Sequence, residues 1–166
     1  MKKTAALSML VAIVLLAGGV IAEAQQAGKI PRIGYLAAPT RAGSAHLADA
    51  FLQGLRELGY IEGENIVIEY RWADEKFERL PELAAELVRL KVDVIVAVVT
   101  QASLAAKTAT STIPIVMIGP SDPVASGLVA SLARPGANIT GTSLMGDEVV
   151  GKQLELLKET FPKISR

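Results

Sequence analysis

Two short apolar segments within residues 93–143 constrain the fold of this chain more than any other feature. Val94–Val99 and Ile115–Ile118 are rich in β-branched residues and show no polar alternation. Strands that are buried on both faces of a parallel sheet have this composition. A polar turn and a helix-like segment follow each of them. The pattern therefore predicts consecutive right-handed βαβ units in a parallel sheet.

Three further segments complete the predicted sheet. Residues 30–37 form a first short strand, and residues 65–72 form a second in which apolar and polar side chains alternate. Such alternation is typical of an edge strand with one wetter face. Residues 138–142 form the last strand. We therefore expect an α/β fold, a doubly wound parallel sheet of about five strands in the order 2-1-3-4-5.

Apolar residues at helical spacing predict helices between these strands. Ser44 is placed to begin the first helix, and residues 77–90 and 100–109 give two more. A further helix is predicted before Pro135, with its apolar face formed by Val124, Leu128, Val129 and Leu132. Because these helices alternate with strands, we expect them on both faces of the sheet.

The first residues have the features of an export signal. Two lysines at positions 2 and 3 precede an apolar run over residues 5–20, and Ala22-Glu23-Ala24 fits the small-x-small cleavage rule. A transmembrane anchor is the alternative, because the run approaches the length that crosses a bilayer. The cleavage motif and the polar residues after it favour removal. We therefore expect residues 1–24 to be a signal peptide, cleaved after Ala24, and the mature protein to be exported.

Charge and residue counts exclude several classes of function. Of 17 basic and 17 acidic residues, only Lys2, Lys3 and Glu23 belong to the leader, so the mature chain is nearly neutral. Nucleic-acid binding, which depends on clustered basic residues, is not expected. One histidine and no cysteine leave little for a zinc or copper site, and we expect no metal and no cofactor.

The loops at the carboxyl ends of the strands hold the candidate binding residues. In open α/β sheets, ligands bind in the crevice beyond these ends. Helix N-termini in that position present unpaired N–H groups and a partial positive charge, which favour carboxylates and other anions. Seven residues at or near these ends are candidates for ligand contact: Pro39, Ser44, Thr100, Gln101, Ser121, Asp122 and Thr142.

The residue types suggest different roles. Thr100 and Gln101 can hydrogen-bond to a carboxylate or an amide, and Asp122 can bind an ammonium group. Helix capping is the alternative role for Ser44 and Thr100, and a turn ahead of Pro123 is the alternative for Asp122.

A catalytic function has weaker support. Gly119-Pro120-Ser121-Asp122-Pro123 is similar to a nucleophile elbow but has proline where the second glycine is needed. His46, on the first predicted helix, is the only histidine that could serve as a base. We therefore expect no enzyme, and an exported α/β hydrolase-type enzyme that uses Ser121 or Asp122 remains the alternative.

Four long segments resemble one family of bacterial proteins. They are LPELAAELVRLKVDVIVA (80–97), AAKTATSTIPIVMIG (105–119), SDPVASGLVASLARPGANITG (121–141) and GKQLELLKETFPKI (151–164). All four resemble the ABC transporter substrate-binding protein family, which is similar to periplasmic binding proteins. The resemblance implies two α/β lobes that close on a small ligand, with an amino acid as the first guess. It also implies a periplasmic location and an ABC permease in the inner membrane as partner.

By the same resemblance, residues 25–145 are the N-terminal lobe, and residues 146–166 are a crossing helix towards a missing second lobe. The helix carries an apolar stripe that would need covering by that lobe or by a partner: Val150, Leu154, Leu157 and Phe161. The expectation is therefore a solute-binding component of an ABC importer, truncated here. A fragment without a function of its own is a further alternative.

Overall fold

The computed structural model of the chain describes residues 29–144 and 146–161, with only the backbone for residues 146–148. The predicted signal peptide lies outside the described residues. The chain divides after Ile30, and every element named below belongs to the second unit, Pro31–Arg166.

Five parallel strands form a single sheet in the order β2-β1-β3-β4-β5. The predicted strand order is therefore confirmed, including the edge position of the alternating strand β2. Both segments without polar alternation lie inside the sheet, where helices or neighbouring strands cover them. The strands are β1 (Arg32–Ala37), β2 (Val67–Trp72), β3 (Val94–Val98), β4 (Ile115–Ile118) and β5 (Ile139–Thr142).

Four helices are described in the second unit. Their bounds are α1 (Ala45–Glu57), α2 (Leu80–Arg89), α3 (Val99–Ala109) and α4 (Gly146–Thr160), and a 3₁₀ turn (Phe77–Arg79) leads into α2. Pro81 lies in the first turn of α2, where an N–H group has no intrahelical acceptor and its loss costs little. None of the helices in the described part of the chain combines the length and the apolar character needed to cross a membrane.

The helices pack on both faces of the sheet, as predicted. On one face, Leu47, Phe51 and Leu55 of α1 contact an apolar cluster from β1, β2 and β3 that contains Tyr35. On the other face, α2 and α3 contribute to a larger cluster that includes Ile95 and Ile115. Successive residues of a strand point to opposite faces, so each central strand supplies side chains to both clusters.

Helix α2 approaches β1 closely because Gly34 has no side chain. A β-carbon at Gly34 would lie 3.0 Å from one methyl carbon of Leu87 and 3.1 Å from the other. Leu87 is fully buried over this glycine. The contact between Gly34 and Leu87 therefore sets how closely α2 approaches β1.

The predicted helix between β4 and β5 is wrong. Residues 123–137 form turns, bends and irregular backbone instead. Leu128 and Val129 are buried against the same cluster as α3, as expected, but Val124 and Leu132 are 44% and 51% exposed. The apolar pattern therefore included the two buried residues together with two exposed ones, and it predicted the wrong backbone conformation.

Local hydrogen bonds explain why this segment is not helical. The Asp122 carboxylate accepts from the backbone N–H groups of Val124 (3.0 Å) and Ala125 (2.8 Å). Lys107 of α3 donates to the carbonyl oxygens of Gly127 (2.6 Å) and Leu128 (3.1 Å). A helix would need the carbonyls for its own N–H groups, and Gly127 has φ 72°, outside the helical range.

Candidate functional site

A cavity of about 590 Å³ lies at the edge of the sheet where the strands end. We call it the strand-end cavity. Each of the five strands is followed by at least one residue that lines it, because the carboxyl ends of parallel strands lie along a common edge. The lining residues are Ala38, Pro39, Glu75, Phe77, Val99, Thr100, Gln101, Gly119, Ser121 and Leu144.

Four of the seven predicted site residues meet in this cavity. Pro39 follows β1, Thr100 and Gln101 lie in the first turn of α3, and Ser121 follows β4. They are as far apart as 82 positions in the sequence, and the sheet brings them together. Their role as ligand contacts stays a prediction.

The other three predicted residues lie outside this lining. Ser44 occupies the N-cap position of α1, is 1% exposed, and donates its hydroxyl to the Thr40 carbonyl oxygen at 2.9 Å. The Asp122 carboxylate accepts the two backbone hydrogen bonds of the turn described above. Thr142 is the exposed last residue of β5 and pairs in register with Ile118. Asp122 therefore has the alternative role in a turn. Ser44 stands at the start of α1, but its hydroxyl makes no hydrogen bond that caps the helix.

The backbone is strained where β3 meets α3. Val99 has φ 66°, a left-handed conformation that is unfavourable for a β-branched residue. Ser103 donates its hydroxyl to the Val99 carbonyl oxygen at 2.9 Å and helps to hold the junction. As a result α3 starts directly at the strand end, and its first turn faces the strand-end cavity. Strain of this kind is concentrated at functional sites.

The loop after β2 supplies two lining residues that sequence reasoning missed. Asp74 and Glu75 both have left-handed φ angles, 54° and 63°, and the Glu75 N–H donates to the Ala38 carbonyl oxygen at 2.9 Å. The loop thereby turns back towards the end of β1 and brings Glu75 and Phe77 to the cavity. The seven predicted site residues follow or end the other four strands. Ligands bind beyond the carboxyl ends of the strands, and this rule, applied to the residues that follow Trp72, would have identified Glu75 and Phe77.

The loop after β5 is tied to the loop after β4. Gly119 donates its N–H to the Thr142 carbonyl oxygen at 3.2 Å, and the Leu144 N–H donates to the Pro120 carbonyl oxygen at 3.1 Å. Leu144, which is 70% exposed, thereby reaches the cavity.

The walls of the strand-end cavity combine apolar surface with a few polar groups. Phe77, which is 52% exposed, offers an aromatic ring, and Thr100, Gln101 and Ser121 offer neutral hydrogen-bonding groups. Among the described residues that line it, Glu75 alone is ionisable. A few convergent polar groups on a largely apolar wall are typical of a site for a small ligand.

A second group of aromatic residues lies between α1 and the sheet. The rings of Tyr70 and Trp72 are stacked at 5.0 Å with an interplanar angle of 5°, and the Arg41 guanidinium carbon lies 5.4 Å from the Trp72 ring centroid. Tyr35 is fully buried beside them, with its ring 5.5 Å from that of Tyr70. These rings belong to the core that α1 covers.

The surroundings of Tyr70 raise the pKa of its hydroxyl group. Burial, and then the negative charge of Glu62, raise the pKa of Tyr70 to about 12. The hydroxyl of Tyr70 lies 3.3 Å from a carboxylate oxygen of Glu62 and donates to it. Burial also raises the pKa of Tyr35.

Comparison with known proteins identifies similar sequences. Residues 41–166 match the family model described as ABC transporter substrate binding protein. The chain is 39% identical over 117 residues to a tyrosine-binding protein of Clostridioides difficile, an alignment that covers 70% of this chain and 33% of the relative.

Solved structures with the same fold are also similar in sequence. A ligand-free, open substrate binding protein with adhesive properties from Clostridium difficile is 33% identical, with a TM-score of 0.69 over 81% of this chain and 45% of that chain. A conserved domain protein from Vibrio cholerae is 31% identical, with a TM-score of 0.71 over the same shares, 81% and 45%. An ABC domain in complex with L-Trp from Streptococcus pneumonia is 26% identical, with a TM-score of 0.65 over 69% and 39%. The chain thus spans a third of the length of its curated relative and less than half of these structures.

Proposed function

The chain belongs to the ABC transporter substrate-binding protein family, and from this premise we propose that it forms one wall of a site for an aromatic amino acid. The observation that carries the proposal is the strand-end cavity, in which five strand ends place polar and aromatic side chains around one space. A binding protein needs such a frame of convergent groups and no acid–base pair.

The cavity offers a place for each part of an amino acid. The first turn of α3, with Thr100 and Gln101, provides hydroxyl, amide and backbone N–H donors, and the positive end of the helix dipole favours a carboxylate there. The exposed ring of Phe77 can stack against an aromatic side chain. Ser121 adds a hydroxyl on the side of β4.

The choice of an aromatic ligand is supported by two relatives. One is called a tyrosine-binding protein, and another was solved in complex with L-Trp. Both are longer than this chain, so a second lobe in the complete protein would close the site from the opposite side. Ligand closure between two lobes is a common hinge motion.

The remaining expectations follow from the same role. We propose that residues 1–24 direct export, that the protein works outside the cytoplasm, and that it delivers its ligand to an ABC permease. The apolar stripe along α4 and the following Phe161 is exposed, with Leu154 at 60% and Phe161 at 53%, and we propose that a second lobe covers it. An apolar stripe of this length is unusual on a free surface.

A thermal-shift screen tests the proposed function. L-tyrosine, L-phenylalanine and L-tryptophan should raise the Tm of the chain in a concentration-dependent way, because a ligand that binds only the folded state stabilises it. L-alanine and glucose should have no effect at the same concentrations. Chemical consumption of a stabilising ligand during incubation would instead indicate an enzyme.

A further inference from the structure

Main-chain hydrogen bonds join the loop after β1 to the loop after β2 only near the strand ends. The Ala73 N–H donates to the Ala37 carbonyl oxygen and the Glu75 N–H donates to the Ala38 carbonyl oxygen, both at 2.9 Å. From Pro39 onwards, no hydrogen bond among the described residues connects the first loop to the second. Pro39 lines the strand-end cavity, so the position of this part of its wall depends on other contacts.

Arg41 reaches from the loop after β1 to the end of β2. Its guanidinium carbon lies 5.4 Å from the centroid of the Trp72 ring, which is within the range of a cation–π contact. Trp72 is the last residue of β2, and its ring is stacked on that of Tyr70. Within the part of the chain that the structure describes, Arg41 forms no ion pair with a carboxylate. The face of the indole ring is therefore the partner that the structure gives to Arg41.

The indole N–H of Trp72 is buried and has no hydrogen-bond partner among the described residues. A buried donor without a partner costs free energy, and a phenyl ring at this position would avoid that cost. What the indole adds over a phenyl ring is a larger face, which attracts a cation more strongly than the rings of tyrosine and phenylalanine do. The identity of residue 72 thus suits the contact with Arg41 better than it suits the hydrogen bonding of the core.

We propose that Arg41 is a positioning residue, which lies on Trp72, holds the loop after β1 against β2 and thereby sets the position of Pro39 at the cavity wall. The inference rests on the proposed function, because it concerns the cavity that is assigned there to the ligand. Arg41 is absent from the described lining of the cavity, so it acts through its loop and not by touching the ligand. Dispersion contacts weaken steeply with separation, so a small outward shift of Pro39 lowers the affinity for the ligand.

Calorimetry with L-tyrosine tests this role on the full chain and three variants of Arg41. Arg41→Ala and Arg41→Gln should bind tyrosine about twofold to fivefold more weakly, because a cation–π contact at an exposed site is a weak interaction. Arg41→Lys should recover part of this loss, since an ammonium group also binds an aromatic face. The matched control is Arg56→Ala, the same chemical change at an exposed arginine of α1 outside the cavity lining, and it should bind as the wild type does.

Tryptophan fluorescence without ligand gives a second measurement. Trp72 is the only tryptophan in the sequence, so selectively excited indole emission reports on this ring alone. The emission should change in Arg41→Ala and stay unchanged in Arg56→Ala, while all variants melt near the wild type because Arg41 is exposed.

The outcomes separate this inference from the proposed function. If the wild type binds tyrosine and Arg41→Ala binds it equally well, the role of Arg41 is wrong and the proposed function stands. If the wild type does not bind tyrosine, both are wrong. Equal losses in Arg41→Lys and Arg41→Gln also overturn the inference, because the contact with the ring depends on the positive charge. Unchanged indole emission in Arg41→Ala would show that Arg41 does not lie on Trp72.

Discussion

Among the described glycines, Gly141 is the one at which an added β-carbon would lie closest to other atoms. It lies in β5 with φ 147°, and a β-carbon there would lie 2.7 Å from the Met117 nitrogen and would also overlap the Met117 carbonyl oxygen. Both obstacles are backbone atoms of the neighbouring strand, which cannot rotate away. Only glycine allows β5 to pair with β4 in this register.

Gly141→Ala should therefore lower the free energy of unfolding by about 3 kcal/mol or more, because the backbone must move or the pairing must break. Urea denaturation measures this. Gly54→Ala is the matched control: Gly54 lies within α1, and apart from the local helix backbone no atom lies within 4 Å of the added carbon. The change should stabilise the protein by about 0.5–1 kcal/mol. An unchanged unfolding midpoint for Gly141→Ala would contradict the structure of β5.

The raised pKa of Tyr70 predicts that the protein loses stability in alkaline solution. Its pKa in the folded chain is about 12 and its ordinary value is 10.0, so between these values the unfolded state releases a proton that the folded state keeps. The contribution of Tyr70 is complete below pH 10 and is lost as the pH rises towards 12. Denaturation across this range should show a falling free energy of unfolding. Tyr70→Phe should show a shallower fall, and an identical slope in both proteins would argue against the raised pKa.

At the scale of elements, α2 is held to the sheet by a stripe of four buried side chains. Leu80, Leu83, Ala84 and Leu87 repeat at helical spacing and face the larger core cluster. Leu87 fits over Gly34, so a smaller residue would leave a space that neighbouring atoms cannot fill easily. The sequence predicted a helix within residues 77–90, because periodicity is a local property.

Leu87→Ala should lower the free energy of unfolding by about 3 kcal/mol, within the range for fully buried leucines. Chemical denaturation gives the value. Leu58→Ala makes the same chemical change at a side chain that is 75% exposed, and it should cost less than about 0.5 kcal/mol. Equal effects of the two changes would mean that α2 does not pack as described.

The segment between β4 and β5 shows where element prediction fails. Its apolar residues have a spacing that suits a helix, yet Lys107 from α3 binds its carbonyl oxygens and the Asp122 carboxylate binds its first N–H groups. The contact with Lys107 joins residues 20 and 21 positions apart. Such a contact is invisible to a periodicity argument, which considers only neighbours within a turn or two.

At the scale of the whole molecule, the strand-end cavity draws on a span of sequence from Ala38 to Leu144. Among the described residues that line it, Phe77 is the one aromatic residue, and the left-handed turn after β2 brings it to the cavity. The strand-end cavity is therefore a property of the assembled sheet. No single segment would show it in isolation.

Phe77→Ala should reduce the rise in Tm that L-tyrosine produces, because the stacking surface is removed; a loss of about 1 kcal/mol of binding free energy is expected. Leu132→Ala, at a side chain that is 51% exposed and outside the cavity lining, should leave the rise unchanged. Both variants should melt near the wild type without ligand. A full tyrosine response in Phe77→Ala would place the aromatic ring of the ligand elsewhere.

The sequence by itself determined the parallel sheet, its strand order, and the edge of the sheet at which polar residues gather. These follow from apolar periodicity and from the handedness of βαβ units, which are local or nearly local properties. It also placed Pro39, Thr100, Gln101 and Ser121 at that edge, since each follows a strand.

Only the tertiary structure decided which polar residues share the cavity and which serve the fold. Ser44 and Asp122 hydrogen-bond within their own loops, whereas Glu75 and Phe77 reach the cavity through the left-handed residues after β2. The left-handed backbone of Val99 is likewise a feature that only the folded structure reveals. Backbone angles that a residue type disfavours persist only when packing and hydrogen bonds around them compensate, and those contacts exist only in the folded chain.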